Sequence, residues 1–247
     1  MNNVNNYISV VIMFVVTTLC SSAQSMFFGP MVTTTMSTSV STDVATYGTP
    51  TRYSAGVQFA RRTTTAAEYM ITLHHRIENG GYITAFSKPP GGFVGKLNVV
   101  DVPGGTPVII TTLESTSIEA GAGIRFPVLD LDTIGTRMLF QFGINIDRIL
   151  SLTQVADYSR IPEADRGNNP LQSTVMFDGQ TGFGGQFGVA LSAPAGDGRF
   201  VIELTYNVRQ PVAIAFPAGV VSGASEQNIG WLVGRGMRLG ASYQFKM

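Results

Sequence analysis

IGWLVGRGMRLGASYQF, running from Ile229 to Phe245, decides the fold of this chain. Its odd positions are Ile229, Trp231, Val233, Arg235, Met237, Leu239, Ala241, Tyr243 and Phe245. Its even positions are Gly230, Leu232, Gly234, Gly236, Arg238, Gly240, Ser242 and Gln244. Successive side chains of an extended strand point to opposite faces, so this order makes one bulky apolar face and one small or polar face. A helix would scatter both sets around its axis. The stretch therefore predicts a β-strand with two different environments.

The same two faces recur upstream. Phe200, Ile202, Leu204, Tyr206 and Val208 oppose Val201, Glu203, Thr205, Asn207 and Arg209. Phe183, Phe187, Val189 and Leu191 oppose Gly182, Gly184, Gln186, Gly188 and Ser192. Met138 to Ile146 opposes Arg137 to Asp147, and Ile118 to Phe126 opposes Glu119 to Arg125. Tyr69 to Ile77 alternates with Glu68 to Arg76, and Tyr53 to Phe59 with Arg52 to Gln58. Met31 to Val40, richer in Thr and Ser, makes a first strand, for eight antiparallel strands. Short joins at Arg61 to Ala66, Pro127 to Gly135 and Ala193 to Gly198 alternate with long ones at Ser41 to Pro50, Glu78 to Ser115, Ser151 to Gly179 and Gln210 to Asn228. That alternation predicts an all-β, up-and-down transmembrane barrel, with short turns on the periplasmic side and long loops outside.

Alternation alone does not say which face points out, since a soluble lipocalin-like barrel has its apolar face inward. Composition favours lipid outside. Charged residues are 13% of the 247, about half the usual share, and only Lys88, Lys96 and Lys246 among the 16 basic residues are lysine. A solvated exterior would need more. The Glu and Arg of the small-or-polar face belong instead in the lumen, where eight strands leave just enough room for side chains and buried charges must pair. The expected lumen network is Glu68, Glu119, Asp147 and Glu203 with Arg52, Arg76, Arg125, Arg137, Arg209 and Arg238. Tyr53, Tyr69, Tyr206, Trp231 and Tyr243 are the expected aromatic girdle.

Residues 1–23 read as a cleaved export signal. Tyr7 to Leu19 has the length of a signal h-region, and Ser21 and Ala23 are small residues before a cut at Gln24. The n-region, Met1 to Asn6, departs from the pattern in having no Lys or Arg. Cys20, the only cysteine, falls inside that signal, and Leu19 in front of it departs from a lipoprotein signal. Residues 24–247 are then one barrel domain, with no thiol for a disulfide or metal site. The 16 basic and 16 acidic residues cancel, so no field favours nucleic acid.

Arg238-Leu-Gly240-Ala-Ser-Tyr243-Gln-Phe245 resembles the terminal β-signal read by the outer-membrane assembly machinery, although Lys246 and Met247 follow the final aromatic. Together with Ser117 to Pro127, the Gly-rich Gln180 to Leu191 and the Ser-Ala-Gln signal end, it makes the chain resemble the PorT-like outer-membrane barrels of Bacteroidota, similar in architecture to the OmpA transmembrane domain and OmpX. The resemblance implies the outer membrane of a Gram-negative cell. It implies contact with outer-membrane lipid and lipopolysaccharide and, by analogy with the family, with envelope or secretion proteins.

No catalytic, cofactor or metal constellation emerges. His74 and His75 are adjacent, point to opposite faces and cannot chelate one ion together. His75 would face lipid near the outer rim, and no His-x-Ser spacing accompanies it as an outer-membrane lipid-modifying enzyme would require. Asp130 and Asp132 lie in a short turn without further carboxylates at Ca²⁺-ligand spacing. The expectation is a non-enzymatic barrel with a plugged lumen. A small channel or transporter stands as the alternative, and a lipid-modifying enzyme behind it.

Overall fold

The computed structural model describes residues 25–37, 45–47, 51–64, 66–85, 108–133, 135–166, 170–177, 179–210, 212–215, 229–232 and 235–247. Eight strands close on themselves: β1 (Ser25–Ser37), β3 (Thr51–Arg62), β4 (Glu68–Ala85), β5 (Val108–Asp130), β6 (Arg137–Asp157), β8 (Thr181–Ala195), β9 (Gly198–Arg209) and β12 (Arg235–Lys246). Each pairs antiparallel with the barrel strand before and after it, and β1 pairs β12 from Phe27↔Lys246 to Ser37↔Gly236 to complete the ring. Closure leaves no barrel edge unpaired. Residues 1–23, expected to be an export signal, with Cys20, and Lys88 to Gly92 and Pro103 to Gly105 lie outside the described residues.

Three short turns and both ends of the barrel chain share one rim. In the first, Thr63 N donates to Ala67 O at 2.8 Å while Ala66 takes φ 63°. The second joins Leu131 N to Thr136 O at 2.8 Å, and Asp132 Oδ1 accepts from Thr136 N at 2.8 Å. The third is the two-residue Gly196-Asp197, where Gly196 at φ 55° supplies the positive φ that such hairpins favour. Met247 N donates to Met26 O at 2.9 Å on the same rim.

At the opposite rim the strands run further than their sequence pattern shows. Glu78 to Ala85 pairs with Val108 to Ser115, and Ile110 to Ser115 with Leu152 to Asp157, so much of two expected loops is sheet. β7 (Gln172–Phe177) extends this wall beside β6, and β2 (Ala45–Tyr47) does so beside β4. A single helical turn, α1 (Glu163–Arg166), precedes β7. The extension has its own apolar core, in which Ile109, Ala156, Tyr158 and Ile161 are buried. Ile229 to Phe245 also differs from one continuous strand. Ile229–Leu232 (β11) pairs with Val212–Ala215 (β10) in a separate two-stranded sheet, and only Arg235–Lys246 enters the barrel.

Two bulges adjust the wall. Val128 is an extra residue opposite Met138 and Leu139, beside Pro127, which has no N–H to give the ladder. Leu150 is extra opposite Thr116 and Ser117. Beyond it the buried positions of β6 change from odd (Asp147, Ile149) to even (Leu152, Gln154, Ala156), which a two-residue period cannot anticipate.

Candidate functional site: the charged lumen and the apolar belt

The apolar face is the outer one. On β1 the outward positions are Phe28, Pro30, Val32, Thr34 and Met36, and on β5 Ile118, Ala120, Ala122, Ile124 and Phe126. On β6 they are Met138, Phe140, Phe142, Ile144 and Ile146, and on β12 Met237, Leu239, Ala241, Tyr243 and Phe245. The remaining four strands repeat this, with His75 on the outer face of β4 and Arg61 at an outward position of β3, and on β6 the exposed Arg148 stands beside Ile118 at the upper limit of the apolar series. Ile144 is 71% exposed and Phe183 59%. Large apolar side chains so exposed, in a continuous ring, exceed what a water-facing surface carries.

The aromatic girdle residues sit on this outer face at different heights. Tyr69 and Tyr243 lie near the short-turn rim, where Tyr243 packs edge-on against Phe200 and Phe245 and its hydroxyl donates to Ala195 O at 2.9 Å. Tyr206 packs beside Phe187, and Tyr53 opposes Ile77 toward the other rim. Trp231 lies in β11, and the side chains of Trp231 and Arg235 lie outside the described residues.

Inside, the charges form layers. Next to the short turns, Glu68 accepts from Arg62 Nε at 3.0 Å and from Arg199 Nη2 at 2.8 Å. Arg199 Nε also donates to Gln244 Oε1 at 2.8 Å, and Gln244 Nε2 donates to Gln58. The Arg199 guanidinium sits 3.9 Å from the centre of the Phe27 ring, a cation–π contact. The next layer joins Arg125 to Glu203 at 2.5 Å and to Gln141 at 2.8 Å. Above it Glu119 holds Arg76 at 2.6 Å and Arg238 at 2.8 Å. Arg76 reaches Asp147 at 3.4 Å, Asp147 pairs with Arg209, and Glu78 pairs with Arg52 at 2.8 Å and Arg209 at 3.5 Å.

Three of these pairs span the full diameter. β4 and β9 stand opposite each other in the ring, as do β5 and β12. Arg199–Glu68, Arg209–Glu78 and Arg238–Glu119 therefore cross the lumen from wall to wall. Arginine suits such braces, since its rigid fork of donors can hold two acceptors at once. Beside the upper layers lies a cavity of about 20 Å³.

Of the lumen residues expected from sequence, Arg52, Glu68, Arg76, Glu119, Arg125, Asp147, Glu203, Arg209 and Arg238 come together here. Arg137 does not. It stands at the foot of β6, where its Nε pairs with the exposed Asp130 at 2.9 Å across the turn. Besides Arg62, which reaches Glu68 from the short-turn rim, Glu78 and Arg199 are the charges that sequence reading missed. Both continue an inward series by one step, Glu78 after His74 and Arg76, and Arg199 before Val201 and Glu203, so following the alternation to its end finds them.

The terminal motif divides between the two faces. Tyr243 and Phe245 point outward, while Arg238 and Gly240 face the lumen. A Cβ on Gly240 would lie 2.8 Å from Glu203 Cγ, so this glycine makes room for the carboxylate that holds Arg125. His74 is buried in the lumen with Nδ1 3.5 Å from Ser54 Oγ, and His75 is exposed on the outer face. Among the described residues no three His, Cys, Asp or Glu side chains are grouped to hold a metal.

No family model and no curated protein matches this sequence. Among solved structures the chain is similar to the crystal structure of Neisserial surface protein A (NspA), with 12% identity and a TM-score of 0.36. The match covers 90% of this chain and 97% of that one.

Proposed function

We propose that this chain is an integral outer-membrane β-barrel with a closed lumen, which is not an enzyme and acts through its long-loop end or as part of an envelope assembly. The observation that carries the reading is the pairing of a predominantly apolar outer belt with a lumen braced across its diameter by Arg199–Glu68, Arg209–Glu78 and Arg238–Glu119. On β5 the belt runs from Ile118 to Phe126. At ~3.3 Å per residue and a tilt of ~40° that is about 20 Å tall, near the ~25 Å band of outer-membrane barrels. The opposite assignment would put this belt in water.

A bore crossed by buried ion pairs offers ions no continuous water path, and the aqueous channels of porins need twice as many strands. The belt faces outer-membrane lipid and lipopolysaccharide, and the terminal Gly240, Tyr243 and Phe245 supply the pattern for the assembly machinery. Membership of the PorT-like barrels, and a part in secretion, rest on the sequence resemblance alone. Fractionation and heat-modifiable gel mobility test the membrane address: a protein found in the soluble fraction overturns it. Planar-bilayer recording tests the closed lumen. The purified barrel is expected to carry no steady current, and a reproducible unitary conductance refutes the plug.

A further inference from the structure

The upper lumen carries more positive charge than its own carboxylates cancel. Arg52, Arg76, Arg209 and Arg238 face Glu78, Glu119 and Asp147, four guanidiniums against three carboxylates among the described residues. All four arginines are at most 9% exposed. Titration cannot remove the excess, because arginine stays protonated and protonating a carboxylate would only enlarge it. An uncompensated charge in such a place is strongly unfavourable.

The same four arginines line the cavity of about 20 Å³. Nε of Arg52, of Arg209 and of Arg238 has no hydrogen-bond partner. Asn145 and Asn207 line it too, each with an unpartnered amide oxygen. The oxygen and nitrogen of an amide exchange places on a half-turn. Turned that way, Asn207 accepts from the Thr205 hydroxyl, now 3.2 Å from its Nδ2, and presents an N–H to the cavity. The cavity then has donors on several sides, one charge to neutralise, and space for a single atom-sized guest.

We propose that this cavity is a binding site for one monatomic anion of the halide class, which completes the charge balance of the lumen. A water molecule could satisfy some of the donors but would leave the excess charge in place. Phosphate is too large for the space.

The test uses the full-length barrel refolded in detergent, with bromide as the probe. Crystals grown in sodium bromide are expected to show an anomalous peak within hydrogen-bond reach of the unpartnered nitrogens of Arg52, Arg209 and Arg238. In urea unfolding, a tenfold rise in bromide above its dissociation constant is expected to raise the folding constant about tenfold. Sodium gluconate at the same ionic strength is expected to leave it unchanged. Asn207→Asp supplies a resident carboxylate, so that variant is expected to fold, to lose the peak and to lose the bromide dependence. A wild type with no peak and equal stability in both salts overturns the proposal, as does an Asn207→Asp barrel that keeps the full bromide response.

Discussion

Replacing Glu119 by Gln tests whether the diametric braces hold the barrel together. The Glu119 carboxylate is buried and accepts from Arg76 on its neighbour strand at 2.6 Å and from Arg238 across the lumen at 2.8 Å. Glu119→Gln leaves both guanidiniums buried with their shared anion gone, a change that typically costs ~3–5 kcal/mol. The amide oxygen still accepts one hydrogen bond, which returns ~1 kcal/mol. The expected loss is therefore about 2–4 kcal/mol. Arg238→Gln in the same chain removes one of the stranded cations. The double variant should then be more stable than the sum of the single losses implies, with a coupling of about 1–3 kcal/mol. The assay is reversible urea unfolding of the barrel in phospholipid vesicles, comparing midpoints at a common slope. A loss below ~1 kcal/mol for Glu119→Gln, or strict additivity of the two changes, refutes the idea that the pair is a structural brace.

Three further outcomes follow from the same geometry. Ile144→Arg, in the middle of the belt and 71% exposed, should cost about 2–4 kcal/mol in vesicles, whereas Leu131→Arg in the short turn should cost ~0–1 kcal/mol; equal effects would place the belt in water. Gly240→Ala should push Glu203 off Arg125 and cost about 1–3 kcal/mol in the refolded barrel, read as a lower urea midpoint. An unchanged midpoint would leave Gly240 without a packing role. Tyr243→Phe removes the 2.9 Å hydrogen bond to Ala195 O and should cost about 1 kcal/mol at the short-turn rim, measured in the same titration.

Much of this was legible in the chain because the alternation of a strand is local. Ile118 to Phe126 against Glu119 to Arg125 places bulk and charge on opposite faces wherever that strand lies. Two of the three short turns, Pro127 to Gly135 and Ala193 to Gly198, carry Gly, Asp and Pro, and the scarcity of lysine pointed to an exterior that avoids water. The failures are equally specific. The pattern fades beyond Ile77 because that part of β4 leaves the belt, so its pairing with β5 up to Ala85↔Val108 carries no bulky-against-polar signature. Arg137 has the parity of a lumen residue, but its strand begins there, and the nearest carboxylate is Asp130 across the turn. Leu150 inserts one residue and reverses the faces above it.

The sequence by itself determined that there are strands with two faces, where the short turns fall, and which side chains of the belt region share a face, since all three follow from neighbours a few residues apart. Which charges meet was decided only by the tertiary structure. Arg238 and Glu119 are 119 residues apart, and Arg199 and Glu68 are 131. They share a level because the pairing of β1 with β12 closes the ring at one particular stagger. A shift of that register would leave every alternation intact and give every lumen charge a different partner.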